Sequence, residues 1–103
     1  MTLLKKDKTL FNTLDKSFQA QRDRQLMYRY GINLNTYYAM LKAQEHTCAI
    51  CQVALEPHGK NTCVDHCHKT KKVRGILCNF CNLGIGYLRE DPKLLDNAKE
   101  YLS

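Results

Sequence analysis

Cys48-Ala49-Ile50-Cys51 and Cys78-Asn79-Phe80-Cys81-Asn82 bracket the stretch that decides how this chain is read. Two Cys-x-x-Cys pairs supply four thiolates, the ligand number of a closed tetrahedral Zn²⁺ site. The two-residue spacing puts both sulfurs of a pair on one tight turn, aimed at one ion. Residues 52–77 separate the pairs, a gap of 26 residues, longer than the roughly 15–20 of ribbon-type sites. The surplus leaves room for a hairpin carrying Val64-Asp65-His66-Cys67-His68 and Val73-Arg74-Gly75-Ile76-Leu77. Four cysteines can also pair as disulfides or fill a core as thiols. Structural zinc on Cys48, Cys51, Cys78 and Cys81 is the expectation.

The totals fit a metal staple. A chain of 103 residues is one domain, or a small domain with a helical arm, and its core is thin. Structural zinc contributes on the order of 10 kcal/mol of apparent free energy, comparable to a small domain's whole stability. The opening Met1-Thr2-Leu3-Leu4-Lys5-Lys6 lacks the apolar segment of a secretory signal, and no apolar run reaches membrane-span length. A reducing, cytoplasmic setting follows, which favours metal over disulfides.

The net charge of +6 is uneven. Residues 1–31 carry seven Lys/Arg against three Asp, and residues 60–74 carry five against Asp65 alone. Residues 87–103 are slightly acidic, with three Lys/Arg against four acids. A basic arm and a basic finger form an electrostatic footprint for nucleic acid; solubility alone is the competing explanation.

In chain order, residues 1–8 offer no apolar face and read as frayed. From about Thr9 to Tyr30 a helical period places Leu10, Leu14, Phe18 and Leu26 on one side, with Thr9 or Asn12 as cap. Lys16, Arg22, Arg24 and Arg29 alternate with Tyr28 and Tyr30, either a solvated face or a row of backbone contacts to nucleic acid. Gly31 punctuates. Asn33 caps a second helix, Leu34 to about Glu45, with Leu34, Tyr37, Tyr38 and Leu41 inward. Thr62–His66 and Val73–Leu77 read as strands around the basic turn Lys69-Thr70-Lys71-Lys72. A helix starting at Asn79 or Phe80 runs to about Arg89. Asp91-Pro92 opens a last helix to Leu102, with Leu94, Leu95, Ala98 and Leu102 inward. His46 and His58 are expected to be incidental, and Cys63 and Cys67 spare thiols.

The hairpin carries the chemistry. Asp65 and Asn82 offer oxygen, the donor hard Mg²⁺ prefers beside water and substrate phosphate. His66 can take a proton from water near neutral pH. Together with basic residues on the strand, these parts suffice for phosphodiester hydrolysis. Strand alternation would send Asp65 and His66 to opposite faces, so the strand must bend or end there. His66 and His68 share a face, which makes His68 a phosphate contact or a partner of the base. Arg74, beside small Gly75, is placed either on a phosphate or on a helix end.

Cys-x-x-Cys, then Asp-His-x-His, then Val-Arg-Gly-Ile-Leu-Cys-Asn-x-Cys-Asn resembles the recombination endonuclease VII family, within the wider His-Me finger (HNH, ββα-metal) nucleases frequent in tailed phages. Tyr30-Gly31-Ile32-Asn33 and the Tyr37…Leu41…Gln44 helix resemble the family's lead-in. The resemblance implies zinc on Cys48, Cys51, Cys78 and Cys81, a catalytic divalent ion on Asp65 and Asn82, His66 as general base and His68 as its assistant. DNA contacts are expected from the basic residues Arg74, Lys69, Lys71 and Lys72, and the resemblance suggests action in the host cytoplasm. Cys67 stands where Asp is frequent, and Lys71 where Gly is common. The best-known member resolves branched DNA as a dimer built on a long helical region after the finger; here 21 residues follow Asn82. A homodimer is compatible with the resemblance.

The expected class is α+β, a zinc-stapled ββα-metal finger flanked by N-terminal and C-terminal helices. The divisions are a basic helical arm (1–46), the nuclease finger (47–90) and a C-terminal helix packing on it (91–103). The expected function is Mg²⁺-dependent DNA cutting, and no membrane is involved. A non-catalytic zinc module that binds DNA or protein, or a disulfide-stapled secreted domain, would account for fewer of these residues.

Overall fold

The computed structural model describes residues 16–103. They form four helices and one two-stranded antiparallel sheet: α1 (Lys16–Tyr30), α2 (Leu34–Ala43), β1 (Thr62–His66), β2 (Val73–Cys78), α3 (Asn79–Tyr87) and α4 (Pro92–Leu102). This is the expected α+β class. The chain divides into two compact units, the break falling between Ala39 and Met40 inside α2. The expected fraying of residues 1–8, the expected cap at Thr9 or Asn12, and the expected inward placement of Leu10 and Leu14 lie outside the described residues.

In the first unit α1 ends where Gly31 turns the chain at φ 73°, its N–H closing on the Met27 carbonyl at 2.9 Å. Two polar side chains start α2. Asn33 Oδ1 accepts from the Thr36 N–H at 2.8 Å, the N-cap that the sequence predicts. Asp23 Oδ1 accepts from the Leu34 N–H at 2.7 Å. The Arg22 guanidinium lies 5.5 Å from the centre of the Tyr37 ring, within cation–π range. Two of the arm's charges are thus used internally, while Lys16, Arg24 and Arg29 stay exposed. Leu26 and Tyr37 are fully buried and Leu34 is buried, whereas Tyr38 is half-buried.

α2 stops two residues before the expected Glu45. Glu45 and His46 take left-handed φ of 55° and 59°. The Glu45 N–H bonds the Lys42 carbonyl and the His46 N–H reaches back to Leu41. This is the Schellman closure normally built on glycine, so its position carried no glycine signal.

In the second unit the buried apolar residues are few: Leu41, Leu55, Val64, Ile76 and Leu77, joined by the cysteines Cys48 and Cys78. α3 and α4 bury no residue completely. Leu94 and Ala98 are half-buried, as an inward face requires, but Leu95 and Leu102 are exposed and so face outward.

Gln44 ties α2 to the sheet. Its Oε1 accepts from the Ile76 N–H at 2.9 Å, and its Nε2 donates to the carbonyls of Ile76 and Thr47, both at 2.8 Å. The side chain thereby satisfies both backbone groups of Ile76, as a neighbouring strand would. Gly75 makes room for it, because a Cβ there would come within 3.3 Å of Gln44 Oε1. Gln44→Ala leaves the buried Ile76 N–H without its partner and the Ile76 carbonyl with the Ala49 N–H alone, and stability is expected to fall by about 1–3 kcal/mol. A denaturant midpoint unchanged from the parent would refute this account of Gln44.

Candidate metal and nuclease site

The first cysteine pair sits on a turn whose return strand is held by the Cys48 N–H on the Val53 carbonyl at 2.8 Å. Ile50 N–H points at Cys48 Sγ at 3.4 Å. The second pair forms the start of α3. Cys78 is the N-cap at φ −72° and ψ 164°, and its sulfur accepts from the Cys81 N–H at 3.4 Å. A helix N-terminus favours negative charge, so it suits a thiolate. Asn61, just before β1, steadies the same end by accepting from the Asn79 N–H at 2.8 Å.

The four sulfurs of Cys48, Cys51, Cys78 and Cys81 lie within 4.8 Å of one another. Sulfurs about 2.3 Å from a shared tetrahedral ion would be about 3.8 Å apart. Cys51 and Cys78 are at 3.7 Å, far beyond a disulfide bond of about 2.05 Å, and all six cysteines are free. Protonation follows the same crowding. Burial resists ionisation of Cys48, yet backbone N–H groups of Cys51, Cys78 and Ile50 outweigh it and bring its thiol down to about 6. Burial and the neighbouring sulfurs of Cys78, Cys51 and Cys48 push Cys81 up to about 12. The same crowding thus drives Cys48 and Cys81 in opposite directions. Four sulfurs at tetrahedral spacing are a donor set that fits a metal such as zinc.

Asp65 and His66 end β1. The strands pair Thr62 with Cys78, Cys63 with Leu77, Val64 with Ile76 and Asp65 with Gly75, but then His66 with Val73. Arg74 is the extra residue of a β-bulge. Bulges twist a strand and redirect its side chains, and this one lies on β2, opposite the step from Asp65 to His66 on β1. The turn beyond it is closed by Cys67 N–H on the Lys72 carbonyl at 2.8 Å and Lys71 N–H on the Cys67 carbonyl at 2.7 Å. Lys71 takes a left-handed φ of 67°, the conformation glycine adopts without strain. Lys69, Lys71 and Lys72 are all exposed on this turn.

The bulged Arg74 grips Asp65 with two bonds, Nε to Oδ2 at 2.7 Å and Nη2 to Oδ1 at 2.9 Å. The same Nη2 donates to Glu90 Oε1 at 2.8 Å. The other Glu90 oxygen, Oε2, is 3.1 Å from His68 Nδ1. The imidazoles of His66 and His68 stack obliquely, ring centres 5.1 Å apart. A cleft of about 510 Å³ opens beside them, lined by Cys67, His68, Lys69, Arg74, Arg89 and Glu90 among others. Asn82 is half-buried on the first turn of α3, directly after Cys81, and α3 packs on both strands. Asp65 and Asn82 share no hydrogen bond among the described residues. Cys63 and Cys67 stand outside the sulfur cluster. Burial and the nearby Cys78 raise the Cys63 pKa. The Thr70 hydroxyl, with the N–H groups of Thr70 and Lys69, lowers that of Cys67.

The sequence reading missed Glu90. It lies eight residues beyond Asn82, past the end of every motif, and only the turn after α3 brings it beneath the hairpin.

The family model for recombination endonuclease VII matches residues 23–103. The chain belongs to the recombination endonuclease VII family. It is similar to the Gene 59 protein of Mycobacterium phage D29, 38% identical over 96 residues that cover 87% of this chain and 58% of the relative. The Gene 59 protein of Mycobacterium phage L5 is also 38% identical, over 78 residues covering 75% of this chain and 47% of the relative. The chain thus spans about half the length of the curated relatives it matches. No solved structure matches it. Among the described residues, no helix is long and apolar enough to cross a membrane.

Proposed function

We propose that the protein is a DNA endonuclease of the His-Me finger type, hydrolysing phosphodiester bonds with one divalent ion, Mg²⁺ or a chemical equivalent. The observation that carries the reading is the bulge between Asp65 and His66. The register shifts there, opposite Arg74 on β2, at the one place where a carboxylate and an imidazole must serve a common centre. In this reading zinc on Cys48, Cys51, Cys78 and Cys81 is structural. It fixes the start of α3, and so Asn82, relative to the hairpin. The catalytic ion supplies charge for the developing and leaving oxygens. Asp65 and Asn82 hold it, His66 takes the proton of the attacking water, and His68 assists at the phosphate.

Arg74 already saturates both Asp65 oxygens with single bonds, but each carboxylate oxygen has a second lone pair. A divalent ion held by Asp65 would repel the guanidinium, and Arg74 would then keep Glu90 as its anchor and face substrate phosphate. Lys69, Lys71 and Lys72 hold the backbone of the strand being cut. Contacts of this kind weaken steeply with salt. The finger of residues 47–90 carries the chemistry, the basic arm 1–46 adds electrostatic attraction, and 91–103 completes the fold. The protein acts in the cytoplasm of an infected host, alone or as a homodimer.

The experiment is incubation of supercoiled plasmid with the zinc-loaded protein, with and without Mg²⁺. Open-circular product that requires the added ion is expected. DNA that is bound but left intact would instead identify a non-catalytic zinc module, the second reading that the sulfur cluster and basic turn alone would allow.

A further inference from the structure

We infer that Glu90 is a positioning residue for this reaction, holding His68 by Nδ1 so that Nε2 is the nitrogen presented to the substrate. The inference rests on the nuclease reading above and adds a residue that lies outside its motifs.

The geometry assigns opposite roles to the two partners. Glu90 Oε2 lies 3.1 Å from His68 Nδ1, with side-chain exposures of 17% for the glutamate and 72% for the histidine. The carboxylate is the sheltered, fixed member, and the imidazole is the presented one. Glu90 is held a second time, by Arg74 Nη2 at 2.8 Å, and Arg74 is itself locked on Asp65. Hydrogen bonds therefore run from the carboxylate near the end of β1 through Arg74 to Glu90, and an ion-pair contact of 3.1 Å continues to His68 Nδ1. An acceptor at Nδ1 retains the proton there and leaves Nε2 as the working nitrogen, as carboxylate partners do for catalytic and metal-bound histidines. His68 borders the cleft, and its ring lies against that of His66.

The backbone points the same way. Arg89 and Glu90 both take left-handed φ, 60° and 53°, in a turn where glycine would be unstrained. The Glu90 N–H closes on the Ile85 carbonyl at 2.7 Å, and Asp91 then caps α4 through the Lys93 N–H at 2.9 Å. Strained non-glycine residues held by their surroundings concentrate at functional sites. Here the strained pair delivers one carboxylate to two partners on the hairpin.

A purely structural tie between the turn and the hairpin would affect folding and zinc content, without setting the tautomer of His68. The test uses the zinc-loaded full chain as parent, Glu90→Gln, Glu90→Ala, His68→Ala and the double variant Glu90→Ala/His68→Ala. Nitrogen NMR of neutral His68, recorded without DNA, is expected to show the Nδ1–H tautomer in the parent. Glu90→Ala should shift it toward the Nε2–H form. Nicking should fall about 10–100-fold in kcat for Glu90→Ala, with KM and zinc content little changed and a smaller loss for Glu90→Gln. Adding Glu90→Ala to His68→Ala should cost nothing more, because residues acting through one another are not additive.

An Nε2–H tautomer in the parent, or an equal loss for Glu90→Ala in both backgrounds, overturns the inference. A parent that cuts no DNA defeats the nuclease reading on its own account. The tautomer measurement would still decide whether Glu90 holds His68.

Discussion

Cys51→Ser is expected to leave a chain without a cooperative unfolding transition in its second unit, and chelation of the parent should do the same. Cys51 is the informative cysteine because it is exposed, whereas Cys48 and Cys78 are buried and their loss would damage packing in any case. A serine at an exposed position costs almost nothing unless the sulfur is a ligand. Thiolates crowded as closely as these repel one another without a cation, and the seven buried apolar side chains of this unit include two of the ligands. Structural zinc supplies on the order of 10 kcal/mol in small domains, against total stabilities of about 5–15 kcal/mol. Thermal unfolding followed by circular dichroism, with and without chelator, measures the effect. A Cys51→Ser protein that melts like the parent would show that the sulfur cluster does not staple the fold.

The scaffold was legible in the sequence because its signals are local. Two Cys-x-x-Cys turns, a basic turn between two short apolar strands, Asn33 before an amphipathic run and Asp91-Pro92 before another each fix their own neighbourhood. The observed β1 coincides with the expected Thr62–His66, and β2 extends only one residue further, to Cys78. A break at Asp65 and His66 was an expectation from the sequence, since one site cannot be served from two faces of a strand, and the register shifts opposite that step. The residue that shifts it was not legible. Nothing in Val73-Arg74-Gly75 announces that Arg74 is the unpaired residue.

What stayed hidden depends on long-range geometry or on residues acting against type. Gln44 meets Ile76 across 32 positions and Arg74 meets Glu90 across 16, and neither pair has a spacing rule. Glu45, His46, Lys71, Arg89 and Glu90 occupy left-handed conformations without being glycine. The breaks they make are invisible to a reading that looks for Gly, which is why α2 and α3 end two residues early. Leu95 and Leu102 looked inward because helical periodicity finds a stripe without saying how much of it a small body can cover.

His66→Ala carries the other large effect. His66 is the last residue of β1 and half-buried, it belongs to neither the sulfur cluster nor the Gln44 bridge, and its removal should leave the fold and its metal in place. If it is the general base, its loss costs about 10²–10⁴ in rate, the contribution of a positioned proton acceptor. The decisive measurement is therefore plasmid nicking in Mg²⁺ by parent and His66→Ala, on samples whose zinc content has been matched by elemental analysis. About one zinc per chain in both proteins, with nicking by the parent alone, is the predicted result. Equal nicking by the two proteins at equal zinc would contradict it and remove His66 from the chemistry.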